Sequence, residues 1–95
     1  MNLSTMNEGR RTLTTTEVKD WLTSYLAQLL GIDRREVDPA FSFELYGLDS
    51  SAAVGLSGDL NDLLGREFDT SLAYDFPTID ALVAHLESTE VVRSL

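Results

Sequence analysis

The sequence predicts an all-α fold, a small antiparallel bundle of three main helices and one short helix with a long first connection. Three observations predict it. Apolar residues recur at helical spacing in three separate stretches. Helix-starting and helix-stopping residues bracket each stretch. No segment alternates apolar and polar residues as a half-buried strand does.

The first helix is expected over 15–30. Thr14 stands three residues before Glu17, the spacing of a capping box. Val18, Trp21, Leu22, Tyr25, Leu26, Leu29 and Leu30 share one face, and Gly31 is a suitable stop. The connection over 31–49 holds Asp38-Pro39, which argues against continuous helix. It also carries Ile32, Val37, Phe41, Phe43, Leu45, Tyr46 and Leu48, so it is expected to lie on the core. A long packed connection of this kind is often functional.

The second helix is expected over 50–64, with Ala53, Leu56, Leu60, Leu63 and Leu64 inward and Gly65 as its stop. A short turn of helix is expected around 71–74. Asp75-Phe76-Pro77 then breaks the chain, and Thr78 caps the last helix. That helix turns Ile79, Leu82, Val83 and Leu86 inward. Residues 1–13 read as a flexible tail, 14–88 as the ordered domain, and 89–95 as a tail that frays.

Composition narrows the function classes. Ninety-five residues make one domain, and 43% apolar residues suffice for one core. Cysteine is absent, which removes disulfides, thiol catalysis and cysteine metal sites. No apolar run approaches the roughly 20 residues that span a membrane, and the N-terminus lacks a secretory h-region. A cytoplasmic home is the simplest expectation. Net charge is −9, concentrated in the second half. Asp49, Asp59, Asp62, Glu67, Asp69, Asp75, Asp80, Glu87 and Glu90 face one base, Arg66, for a net of −8 over 47–90. Nucleic acid is therefore disfavoured as a partner, and basic protein surfaces are the complement. A plainer reading is that the charge only keeps the protein soluble.

Catalytic machinery is missing. The one histidine, His85, could pair with Ser50, with Asp75 or Asp80 behind it, but no Gly-x-Ser-x-Gly elbow is present. His85 is expected to meet its helix C-terminus or to be exposed. Asp59 and Asn61 have calcium-loop spacing but lie inside a helix, with no ligand series after them. No glycine-rich phosphate loop occurs.

Gly47-Leu48-Asp49-Ser50 remains. It places a serine hydroxyl at the first turn of a helix, where free N–H groups and the helix dipole favour an anion. By position alone Ser50 could equally be an ordinary N-cap, with Asp49 the competing cap.

The wider pattern separates these readings. Asp38-Pro39, Phe43, Gly47-Leu48-Asp49-Ser50, Gly65 and the run from Tyr74 through Asp75-Phe76-Pro77-Thr78 to Leu86 together resemble an acyl carrier protein of the polyketide synthase type. The resemblance covers about residues 14–88. It implies a 4′-phosphopantetheine arm on Ser50, installed from coenzyme A by a phosphopantetheinyl transferase with magnesium. The arm's thiol holds acyl groups as thioesters for other enzymes, and the carrier itself is no enzyme. Leu48-Asp49 points to polyketide carriers, since peptidyl carriers usually have glycine where Leu48 stands. A peptidyl carrier of non-ribosomal peptide synthesis is the nearest alternative. A helical interaction module without the arm is the alternative from another class.

Three positions depart from the family pattern. Ser51 stands where leucine is common, and Gly55 and Gly58 stand where larger side chains are usual. Ser51, Gly55, Gly58 and Asp62 share a helical face opposite the leucine stripe. That face, with Leu48 and Asp49 beside the serine and Asp59 and Asp62 as charges, is expected to meet partners; the equal alternative is that the glycines only face solvent and weaken the helix. The resemblance names them as the transferase, a ketosynthase, and an acyltransferase or acyl-AMP ligase, with the isolated domain a monomer.

Overall fold

Residues 13–93 are described by a computed structural model. They form an all-α bundle in which α1 (Thr15–Leu30) packs on α4 (Ile79–Ser88) and α2 (Ser50–Leu64) on the short α3 (Leu72–Asp75). The three main helices begin and end where local chemistry predicts. The capping box at Thr14 is complete, with the Glu17 N–H donating to Thr14 Oγ1 at 3.1 Å and the Thr14 N–H to Glu17 Oε1 at 2.9 Å. Thr78 Oγ1 accepts the Ala81 N–H at 2.9 Å to start α4. Helix α3 begins one residue later than expected.

The core is the meeting of three stripes. Val18, Leu22 and Leu26 of α1, Leu56 and Leu60 of α2, and Ile79, Leu82 and Leu86 of α4 are buried completely or nearly so. Leu29, expected on the same α1 face, is half-exposed instead. Ser57 is also buried, and among the described residues its hydroxyl has no hydrogen-bond partner. A helix brings the neighbour of Leu56 inward whatever its polarity, and the leucine pattern alone does not reveal it.

The long connection is packed and held by its backbone. A 3₁₀ turn, Arg34–Glu36, is capped by Asp33, whose carboxylate accepts the Arg35 N–H at 2.8 Å. Arg34 turns back to α1 and engages the Asp20 carboxylate and the Ser24 hydroxyl. Phe43 and Val37 are buried. The Phe43 N–H donates to the Pro77 carbonyl at 2.8 Å and the Asp80 N–H to the Pro39 carbonyl at 3.0 Å, so the connection is tied to the start of α4. Phe41 and Leu45 correct the expectation that all its apolar residues face the core, since Leu45 is 68% exposed. The turn that sends Phe43 inward sends Leu45 out.

The C-terminal segment also corrects the sequence reading. Val91 and Val92 are buried, so 89–93 does not simply fray as expected. The Arg93 N–H donates to the Leu13 carbonyl at 2.9 Å and the Thr15 N–H to the Arg93 carbonyl at 2.7 Å. Two valines cover the end of the core, and the paired backbone holds them there. Apart from Leu13, the tail expected over 1–13 lies outside the described residues, as do 94–95.

Gly55 and Gly58 leave the outer face of α2 bare. A Cβ added at either would meet nothing within 4 Å. Glycine inside a helix costs roughly 0.5–1 kcal/mol against alanine. Gly55→Ala and Gly58→Ala are therefore each expected to raise stability by about that amount. A thermal melt should show the midpoint rising by roughly 3–6 °C per substitution.

Candidate functional site at the start of the second helix

The chain reaches α2 through a turn that only certain residues allow. Gly47 has φ 90°, a left-handed conformation that costs glycine little. The Gly47 N–H donates to the Glu44 carbonyl at 2.9 Å and the Leu48 N–H to the Phe43 carbonyl at 3.1 Å. Buried Phe43 thus anchors the turn that delivers Asp49 and Ser50 to the surface.

Asp49, not Ser50, caps the helix. Its backbone is extended, and its Oδ1 accepts the Ala52 N–H at 2.9 Å. Ser50 is the first helical residue and is exposed. Among the described residues no hydrogen bond engages its hydroxyl. A serine beside another residue that has taken the capping bond keeps its oxygen for other chemistry. The N–H groups at this end still lack intrahelical acceptors, and the dipole is positive here.

A cavity of about 370 Å³ opens beside Ser50. Phe43, Leu48 and Ala53 form one apolar wall, and Ala73, Tyr74 and Pro77 the other. Glu44 and Asp49 add carboxylates to its lining. An arm joined through a phosphodiester fits this donor set. The ester needs a free serine oxygen, its charge meets the positive helix end, and its organic part has apolar wall to lie on.

The other predicted site residues divide. Ser51 and Gly55 are exposed, Gly58 is half-buried, and Asp62 is exposed on the same bare face. Gly55, Gly58, Asp59 and Asp62 line a shallow open groove, with Arg66 and Glu67 also in its lining. Asp59 also reaches across to α1, its Oδ2 accepting the Tyr25 hydroxyl at 2.7 Å. Sequence reasoning missed Leu45, Val54 and Tyr74, which are exposed apolar side chains close to Ser50 in the chain or in its cavity. Val54 and Tyr74 each follow a buried alanine, which hid their exposure from periodicity, and Leu45 lies in a connection with no period to read. His85 stacks on Phe76 instead of standing exposed, with ring centroids 4.0 Å apart and planes 17° apart.

The Tyr25 hydroxyl is pushed up to about 12 by partial burial first, then by its hydrogen bond to Asp59 and the Asp59 charge. A folded pKa above the unfolded value means stability fully present below about pH 10 and lost as pH rises through 12. Phenolate absorbance is expected to show one late-titrating tyrosine, absent in Tyr25→Phe. The alkaline loss of stability should flatten in the same variant.

Residues 20–86 match the family model described as the phosphopantetheine attachment site. Over 74 residues the chain is 40% identical to a phenolphthiocerol/phthiocerol polyketide synthase of Mycobacterium tuberculosis, covering 78% of this chain and 4% of that one. The chain thus spans only a small part of that relative. It is 38% identical over 63 residues to the acyl carrier protein TtuC of Teredinibacter turnerae, covering 66% of this chain and 72% of that one. Among solved structures, the fold is similar to a free-standing peptidyl carrier protein from Acinetobacter baumannii, with TM-score 0.73, 34% identity, and coverage of 81% and 96%. It is also similar to Asl1650, an acyl carrier protein from Anabaena with a variant phosphopantetheinylation site, with TM-score 0.74, 34% identity, and coverage of 80% and 86%. With the matched region spanning the turn, α2 and most of α4, the chain belongs to the phosphopantetheine-attachment-site family as a carrier protein of the polyketide synthase type.

Proposed function

We propose that Ser50 is the anchor of the 4′-phosphopantetheine arm and that the protein carries acyl or polyketide intermediates between enzymes. One observation supports this most: Asp49 takes the capping bond, which leaves Ser50 Oγ exposed and unengaged at the positive end of α2. The arm, once attached, supplies a thiol that holds acyl groups as thioesters. The chain's own residues present and orient it. Phe43 and Gly47 set the turn, Asp49 starts the helix, and the apolar walls beside Ser50 receive the near part of the arm. A tethered thiol raises the effective concentration of its cargo at each partner's active site. The carrier performs no catalysis itself.

The proposed partners are a phosphopantetheinyl transferase and synthase enzymes of the cytoplasm, a ketosynthase and an acyltransferase or acyl-AMP ligase among them. Among the described residues no helix is long and apolar enough to cross a membrane. Leu48, Asp49, Ser51, Gly55, Gly58 and Asp62 form the surface these enzymes read, joined by Leu45, Val54 and Tyr74. An apolar patch set among carboxylates matches a basic rim around an apolar recess. Asp59 contributes charge while holding Tyr25.

Incubation with coenzyme A, magnesium and a broad-specificity transferase tests the carrier function. The intact mass is expected to rise by one phosphopantetheine unit, and an unchanged mass overturns the proposal. Gly58→Met tests the partner surface. A Cβ at position 58 meets nothing within 4 Å, so the fold is expected to survive while turnover by a loading or condensing enzyme falls about tenfold or more. Unchanged turnover removes Gly58 from that surface.

A further inference from the structure

His85 has no part in the carrier function described above, yet its ring is held flat against Phe76 at 4.0 Å. Phe76 occupies a structural joint. Its N–H donates to the Leu72 carbonyl at 3.0 Å and so closes α3. The next residue, Pro77, lines the cavity beside Ser50, and its carbonyl accepts the Phe43 N–H at 2.8 Å. Phe43 in turn anchors the turn into Ser50. A continuous path therefore runs from the imidazole through Phe76 and Pro77 to the wall and floor of the site.

Helix α3 needs such support. It is four residues long, and its N-cap, Ser71, makes no side-chain capping bond. A single helical turn does not hold itself together in water. Its anchors are the Asp69 carboxylate accepting the Ser71 N–H at 2.9 Å, the Ser71 hydroxyl donating to Asp75 at 3.4 Å, buried Leu72 and Ala73, and the half-buried Phe76 ring. Only the last is reached by a side chain whose plane matches it. The backbone of His85 is separately secured, since its carbonyl accepts the Thr89 N–H at 3.1 Å and the Ser88 hydroxyl at 2.8 Å. The end of α4 therefore does not depend on the imidazole.

We propose that His85 is a positioning residue. Its ring clamps Phe76 and thereby keeps α3, with Ala73 and Tyr74, and Pro77 against the cavity beside the attachment serine. Only the link to modification rests on Ser50 being the anchor. The clamp itself does not.

Amide hydrogen exchange on the unmodified protein tests the clamp. In His85→Ala, the Tyr74, Phe76 and Phe43 amides are expected to exchange about three- to tenfold faster, the range a lost aromatic stack supplies. The Leu26 and Leu60 amides of α1 and α2 are expected to stay at wild-type rates. His85→Phe keeps a flat ring and is expected to restore the three local amides. In steady-state modification, the transferase KM for His85→Ala should rise by a similar factor with kcat unchanged, and His85→Phe should return it. Wild-type exchange at Phe76 and Phe43 in His85→Ala overturns the proposal, as does equal acceleration of all amides or failure of His85→Phe to restore them. Loosened local amides with an unchanged KM overturn the positioning role. Loss of modification at Ser50 altogether is a different failure and concerns the carrier function alone.

Discussion

Ser50→Ala is expected to gain no phosphopantetheine under conditions that modify the parent chain completely, leaving Ser51 unmodified beside it. The two serines are adjacent and both exposed, so the prediction separates position from mere hydroxyl chemistry. Successive residues on a helix point about 100° apart. Ser50 lines the cavity between the long connection and α3, while Ser51 stands on the bare outer face. An enzyme that seats against Leu48, Asp49 and the cavity wall brings its donor to one oxygen only. The misplacement of about a helical step is large against the sub-ångström tolerance of group transfer. The removed atom caps nothing, since Asp49 holds the Ala52 N–H, and the fold should survive. Intact mass with peptide mapping gives the answer. An arm on Ser51 in the variant, or on Ser51 in the parent, refutes Ser50 as the anchor.

Phe43→Ala is the second substitution with a large expected effect, and it acts on stability. Phe43 is only 3% exposed in the middle of a connection whose one regular piece is the short 3₁₀ turn at Arg34–Glu36. Emptying a buried phenylalanine site costs about 3–5 kcal/mol. A domain of this size has roughly 4–12 kcal/mol in total. The variant should therefore be partly unfolded at 25 °C or stand close to it. With a urea slope of about 1 kcal/mol/M, the midpoint should fall by roughly 3 M or vanish. Leu45→Ala two residues on is the control. Its side chain is exposed, and the change should stay within about 0.5 kcal/mol. The contrast shows that the connection is core in one residue and surface in the next but one. Because Phe43 also anchors the turn before Gly47, folded molecules of the variant should be modified more slowly.

The helices were legible because their determinants lie close together in the chain. Thr14 with Glu17, Gly65 after Leu64, and Thr78 after Pro77 act within one turn. The stripes of α1, α2 and α4 repeat at the helical period, so their inward faces followed too. The serine proposed as the attachment point was singled out by its motif and the downstream run together.

Where the reading stopped, the missing information was non-local. Phe43 and Leu45 are similar in apolarity, and only the tie between Phe43 and Pro77 decides which is buried. Asp59 looked like a free surface charge until α1 brought the Tyr25 hydroxyl to it. Val91 and Val92 sit in a segment with no helical period, and pairing with Leu13 and Thr15 orders them. His85 gave no sign of its partner, because a stack depends on where two separate elements place two rings.

By itself, then, the sequence determined the helices, the acidic second half, the absence of cysteine and the serine at the head of α2, since each depends on residue type and short-range spacing. Tertiary structure alone decided that a cavity walled by Phe43, Ala73 and Pro77 lies beside Ser50 and that Phe76 rests on His85. Those features form only when distant segments meet, and the burial that brings them together belongs to the whole core.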